Sequence, residues 1–188
     1  MRDETGGAGE RSATMRVGVV LERRRIDHPW QKWRWRAVSV IAHAPPIRQP
    51  RLLLSDGTAD MALWHTVTLP LLVHRTDTEA YKYNLSTAQP QVYVVLRPGN
   101  DEAFPLWPAL VTVSPSEAQA YSETSEDRVE PVPMPEPIIA WLKAFVDRHH
   151  VDRPIVKRRR KGLDRGPGEA SEFEIVEGGS SDAGRVGE

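Results

Sequence analysis

The stretch MRVGVVLERRRIDHPWQKWRWRAVSVI, residues 15–41, decides how this chain folds. Val17, Val19 and Leu21 alternate with Gly18, Val20 and Glu22, and Trp33, Trp35, Ala37, Ser39 and Ile41 alternate with Arg34, Arg36, Val38 and Val40. A period of two is that of a half-buried strand, and Asp27-His28-Pro29 between the runs reads as a turn. The stretch predicts two consecutive strands joined end to end. Residues 23–36 hold three of the six tryptophans and six basic side chains. An indole is costly to leave in water and a guanidinium is costly to bury unpaired. The segment must separate the two by geometry or hand one to a partner, which points to binding rather than catalysis.

Working outward, the same period recurs. Pro45-Pro46 stops the second strand, Arg51–Leu54 is a short apolar run, and Ser55-Asp56-Gly57-Thr58 is a hairpin signal. A return strand is expected over Met61 to Leu69, with Pro70 marking an edge or a bulge. Alternation at Tyr81, Tyr83 and Leu85 predicts another strand, as does Val92–Arg97, closed by the turn Arg97-Pro98-Gly99-Asn100, and then Leu110–Val113. Ser114-Pro115-Ser116-Glu117 is a capping box opening a short helix that ends near Ser122. The prolines at 131, 133, 135 and 137 forbid a helix across 123–137, so that stretch should cross the surface extended. From Pro137 to about His150, Ile138, Trp141, Leu142, Phe145 and His149 form one helical stripe that should dock on the sheet, with Pro154 as the stop. The fold class expected is α+β: a mostly antiparallel β-sheet or partial barrel covered by one C-terminal amphipathic helix, with disordered termini.

Three regions follow: a polar, glycine-containing leader at 1–14, a single domain at 15–156, and at 157–188 the basic run Lys157-Arg158-Arg159-Arg160-Lys161 followed by an acidic tail. With no cysteine, disulfides and thiolate-held metals are excluded. No apolar stretch approaches the roughly 20 residues that span a bilayer, and the start lacks the apolar centre of a secretory signal, so a soluble cytoplasmic protein is expected. Net charge is -1, with seven basic against two acidic residues in 16–36 and six acidic against one basic in 117–136. That balance leaves little non-specific attraction for nucleic acid.

The expected contact surface is Arg24, Arg25, Trp30, Lys32, Arg34 and Arg36, with Tyr81, Lys82, Tyr83 and Asn84 as a second segment. His28, His43, His65, His74, His149 and His150 form no ligand pair of helical spacing, and no nucleophile-elbow, phosphate-loop or dinucleotide motif is present. The reading therefore names no catalytic residue, no metal ligand and no cofactor.

Several segments taken together resemble a known family: Val17–Arg24, Trp30–Arg36, Glu79-Ala80-Tyr81-Lys82-Tyr83-Asn84-Leu85-Ser86, Val92–Arg97, Leu110–Ala118, Pro133-Met134-Pro135, and Trp141 through His149-His150-Val151 to the basic run. The family is a functionally uncharacterised bacterial one whose genes commonly lie beside those for molybdenum-dependent formate dehydrogenase and its maturation proteins. The likeness implies an accessory or chaperone-like role in assembly, cofactor delivery or regulation of that enzyme. The partners it implies are the large subunit or the maturation proteins. Two alternatives stay open: an enzyme modifying the molybdopterin cofactor, and a nucleic-acid-binding regulator. Some members are labelled molybdopterin guanylyltransferases, but here Glu22-Arg23-Arg24-Arg25 follow the first strand, where those enzymes carry a glycine-rich loop.

Overall fold

In the computed structural model, which describes residues 11–124 and 126–151, the first hairpin is the spine of the molecule. β1 (Ser12–Arg25) pairs antiparallel with β2 (Trp33–Ala42) on one side and with β4 (Met61–His74) on the other. β3 (Arg51–Ser55) adds to the far side of β4, giving the order β2-β1-β4-β3. A second antiparallel sheet has the order β6-β5-β7, from β5 (Gln91–Asp101), β6 (Phe104–Thr112) and β7 (Arg128–Pro133). The sheets approach each other where β4 meets β6 and where β2 meets β7. The fold is thus mostly antiparallel β with few helices, as the alternation predicts.

One core joins the parts. Val17, Val19 and Leu21 of β1 and Leu71 and Val73 of β4 face Val92, Val94 and Leu96 of β5, with Val111 and Val132 beside them. The opposite face of β1 is also covered along part of its length: Val20 and Glu22 are buried, next to register shifts at Val19/Val20 and Val20/Leu21. At Gly18 the cover is so close that a Cβ would lie 2.6 Å from His65 Nε2 and 2.9 Å from the Ala44 Cβ. His65 is buried there, its Nε2 3.0 Å from Thr68 Oγ1, and Thr68 donates in turn to the Pro45 carbonyl at 2.7 Å. Burial, together with the Arg51 charge, holds the His65 imidazole below its usual range, against a backbone hydrogen bond that favours its charged form. Pro70 sits where β4 has lost its β3 neighbour, since β3 covers only Ala62–His65. A missing N–H is tolerated on such an edge.

The structure differs from the sequence reading in several places. On β2 the buried face passes from Trp35 and Ala37 to Val40 across a register shift, leaving Ser39 and Ile41 exposed. β4 runs on past Leu69 to His74, and β5 runs through the expected turn Arg97-Pro98-Gly99-Asn100 to Asp101. β1 begins at Ser12, three residues before the expected boundary at Met15, and pairs with the last residue of β4, His74. The segment expected as a strand at Tyr81–Ser86 is instead helix α1 (Thr78–Ser86). Its buried residues, Thr78, Tyr81 and Asn84, recur every third position, so the alternation of Tyr81, Tyr83 and Leu85 was fortuitous. The proline-rich stretch is extended in its middle as expected, and Arg128–Pro133 becomes β7, an edge strand whose Pro131 and Pro133 leave the pairing with β5 intact. Helix α3 (Glu136–His149) starts one residue early and buries Ile138, Leu142, Phe145 and Val146; Trp141 is only partly covered, while the His149 ring lies tilted against Phe145, with ring centroids 4.6 Å apart.

The capping box opens helix α2 (Pro115–Ser122): Glu117 N donates to Ser114 Oγ at 3.3 Å. The return half runs through Thr112, whose Oγ1 accepts from Ser114 N at 3.0 Å and donates to the Glu117 carboxylate at 2.6 Å. α2 lies against β5, β6 and β7, and α1 packs on α2 and α3. Among the described residues no helix is long and apolar enough to cross a membrane. Residues 1–10 of the expected leader, the helix stop at Pro154, the basic run and the acidic tail lie outside the described residues.

Candidate functional site

The hairpin end is sorted by the pleat. Glu22 lies opposite Arg36 and Arg24 opposite Arg34, so these four share one face; Arg23 opposite Trp35 and Arg25 opposite Trp33 share the other. Geometry therefore separates the guanidinium groups from the indoles only in part. On the first face Glu22, 5% exposed, accepts from Arg24 Nη2 at 3.0 Å and from Arg36 Nε at 2.9 Å. Burial pushes the Glu22 carboxyl up, but the bonds from Arg24 and Arg36 and their charges outweigh it and hold it below its usual range. Two of the six expected contact residues are thus spent on an internal carboxylate. Arg34, directly across from Arg24, carries no ion pair among the described residues.

On the second face Trp33 is bracketed by cations, with the Arg23 guanidinium 4.4 Å and the Lys32 ammonium 5.6 Å from its ring centroid. Trp35 belongs to the core and packs on Phe104 at 5.3 Å, with Trp64 edge-on to the same ring at 5.5 Å. Arg25 turns to Asp60: its backbone N donates to the Asp60 carbonyl at 2.7 Å and its Nη1 to the carboxylate at 3.3 Å. This ties the base of the β1–β2 loop to the β3–β4 turn. The loop, residues 26–32, closes on itself through Ile26 N to the Lys32 carbonyl at 3.1 Å, and Gln31 Nε2 donates to the Trp33 carbonyl at 2.8 Å. Trp30 stands at its tip, 91% exposed. An open groove of about 700 Å³ runs beneath it, with Arg25 and Lys32 balanced by Asp27 and Asp60. The expected patch of uniform positive charge is, at the tip, a patch of mixed charge around one bare indole.

The second expected segment divides by burial. Tyr81 is buried and its hydroxyl accepts from His74 N at 3.1 Å; burial is the main cause pushing that phenol up to about 12. Asn84 is also buried: Nδ2 donates to the carbonyls of Gln91 and Val113, each at 2.8 Å, and Oδ1 accepts from Gln91 N at 3.0 Å. Neither can touch a partner, and both pin α1 to the sheets. Lys82 and Tyr83 face outward, Lys82 Nζ within 3.4 Å of His150 Nε2 and Tyr83 65% exposed. Nor do the two segments form one surface. β4 starts opposite Arg24 and ends opposite Ser12, where the chain leads into α1, so they lie at opposite ends of a strand about 40 Å long at ~3.3 Å per residue.

The acidic partners were the residues sequence reasoning missed. Glu22 was legible, because residues two apart on a strand share a face. Asp60 and Glu130 had no local signal. Glu130 reaches across from β7 to accept from Ala37 N on the edge of β2 and also holds Arg128. Among the described residues no group of three or more histidine, aspartate or glutamate side chains is placed to hold a metal ion.

A family model described as "Protein of unknown function (DUF3305)" matches residues 16–160. No curated protein and no solved structure matches the chain.

Proposed function

The chain belongs to the DUF3305 family, and from that premise we propose that it is a non-catalytic accessory protein that grips another macromolecule through the tip of the β1–β2 hairpin, the partner being a molybdenum-dependent formate dehydrogenase or one of its maturation proteins. The observation that carries the binding half is Trp30, fully presented to solvent on a loop whose base is tied down by Arg25 and Asp60. A large apolar ring held out on a fixed loop gains most by entering a partner's pocket, and tryptophan is enriched among the residues that dominate interface energies. Lys32 lines the same groove and Arg34 follows on β2, and both would steer an acidic surface into place. The identity of the partner rests on the resemblance set out from the sequence. In the groove Arg25 and Lys32 are offset by Asp27 and Asp60, so its balanced charge offers no net attraction for the phosphates of a pterin dinucleotide or a nucleic acid.

The test is capture of the dehydrogenase large subunit by the purified full chain. Trp30→Ala and Lys32→Glu should each weaken capture at least tenfold with the fold intact, since neither side chain holds the core. Arg36→Glu is a poor probe because Arg36 neutralises Glu22. Capture indifferent to both substitutions would move the surface elsewhere. A deletion strain whose formate dehydrogenase still acquires its metal and full activity would end the maturation role.

A further inference from the structure

Every sheet has two edges, and an edge strand presents unpaired backbone groups that invite another chain unless something guards it. Among the described residues, three of the four edges are guarded. β6 carries Pro105 and Pro108, and β7 carries Pro131 and Pro133. On β2, Ala37 N is already taken by the Glu130 carboxylate, and Arg34 and Arg36 project beside it. The fourth edge, β3, has the sequence RLLLS and pairs only with β4 among the described residues. It holds no proline, lysine or acid, and its one charge, Arg51, stands at its first residue, just after Pro50. Leu52, Leu53 and Leu54 are 52%, 48% and 51% exposed, so three successive leucines are half bare on one free edge. A register shift between Leu52 and Leu54 leaves Leu53 without a partner on β4. Such a bulge can turn an edge away from pairing, but this one leaves apolar side chains uncovered on both sides of the strand.

We propose that β3 is a self-association edge, and that its occupant is the β3 of a second copy of this chain. A two-fold contact must be complementary to itself. Antiparallel pairing about Leu53 meets that demand: Leu52 falls opposite Leu54 of the copy, Leu53 opposite Leu53, and Arg51 opposite Ser55, whose neighbour Asp56 supplies the opposite charge. No like charges are set against each other. The result is a continuous eight-stranded sheet through two copies, with leucines interleaved across the junction.

Sedimentation of the full chain across a hundredfold range of concentration tests this. The expected result is a reversible species of twice the 21.1 kDa chain mass. Leu53→Lys, which places two like charges on the two-fold axis, should return the chain to a folded monomer. A second variant covers loss of fold in the first. The chain has no cysteine, so Leu53→Cys introduces its sole thiol. Diamide, itself reduced, should oxidise two such thiols to one disulfide and give a covalent dimer, while Tyr83→Cys on α1 should stay monomeric under the same oxidant. A wild-type chain monomeric at every concentration overturns the proposal. So does a dimer that survives Leu53→Lys, or one that cross-links through Tyr83→Cys rather than Leu53→Cys.

Discussion

The hairpin end and the α1 segment offer the same chemistry in sequence: aromatics alternating with cations and an amide or acid nearby. Their fates in the fold are opposite. In α1, Tyr81 and Asn84 are swallowed and serve the interior, bonding to backbone at His74, Gln91 and Val113. At the hairpin, the strand period leaves Arg24, Arg34 and Arg36 on a solvent face and lifts Trp30 clear of the body. The difference teaches that residue type nominates a surface while periodicity disposes of it. A helix that hides every third residue turns half of a binding motif into structure. A strand end that overhangs its sheet leaves the motif outside.

The sharpest way to break that contrast is at Asn84. Asn84→Ala removes three hydrogen bonds at once and strands the carbonyls of Gln91 and Val113 and the N–H of Gln91 away from water. An unsatisfied buried polar group costs about 1–3 kcal/mol. Allowing for relaxation, a loss of about 3 kcal/mol and a Tm lower by about 10 °C are expected by denaturant and thermal unfolding. Asn84→Asp should be no better, because it sets a carboxylate against two carbonyl oxygens. An Asn84→Ala protein as stable as the wild type would return this residue to the list of surface contacts.

Gly18 tests where the open hairpin becomes a covered wall. Gly18→Ala pushes a methyl against His65 and Ala44, and overpacking of this kind costs about 2 kcal/mol. Adding Ala44→Gly removes one of the two obstacles and should recover part of the loss. If Gly18→Ala unfolds at the wild-type denaturant concentration, that face of β1 is as open as the hairpin end.

Glu22 comes next in size. Glu22→Gln leaves Arg24 and Arg36 without their anion, and a half-exposed pair of this kind is worth about 1 kcal/mol. The sign with pH follows from the direction of the shift. The folded protein holds the carboxyl below its ordinary value, so its contribution is complete above the unfolded value and vanishes as pH falls through the folded one. As pH falls below the ordinary carboxylate range the wild type should lose this increment and the variant should not. Superimposable acid limbs in the two proteins would show that the arginines are not neutralised from within.

Much of the sheet was legible because a buried face repeats every two residues, and Val17, Val19 and Leu21 or Val92, Val94 and Leu96 obey that rule over whole strands. The capping box at Ser114 was legible because it is local. The α1 segment was not, since Tyr81, Tyr83 and Leu85 satisfy a period of two within a helix only nine residues long. The candidate site was legible as composition and illegible as charge. Arg25 meets Asp60 from 35 residues away, and nothing in the hairpin itself announces that partner. The guarding of β2 by Glu130, 93 residues from Ala37, is equally hidden.

The smallest expected effect on stability is the most informative about function. Trp30 leaves almost none of its surface against the protein, so Trp30→Ala should change unfolding free energy by no more than about 0.5 kcal/mol. Tyr83 is the matched control, an exposed aromatic on α1 beside Asp77 and Glu79, and Tyr83→Ala should be equally quiet in unfolding. Partner capture separates the two. Burying an indole in a central pocket commonly contributes about 2 kcal/mol or more, so capture should fall by about thirtyfold with Trp30→Ala and stay level with Tyr83→Ala. The reverse pattern would exchange the roles of the two regions: α1 would carry the contact through Tyr83 and Lys82, and the overhanging hairpin would be a solvated strand end whose charges serve only each other.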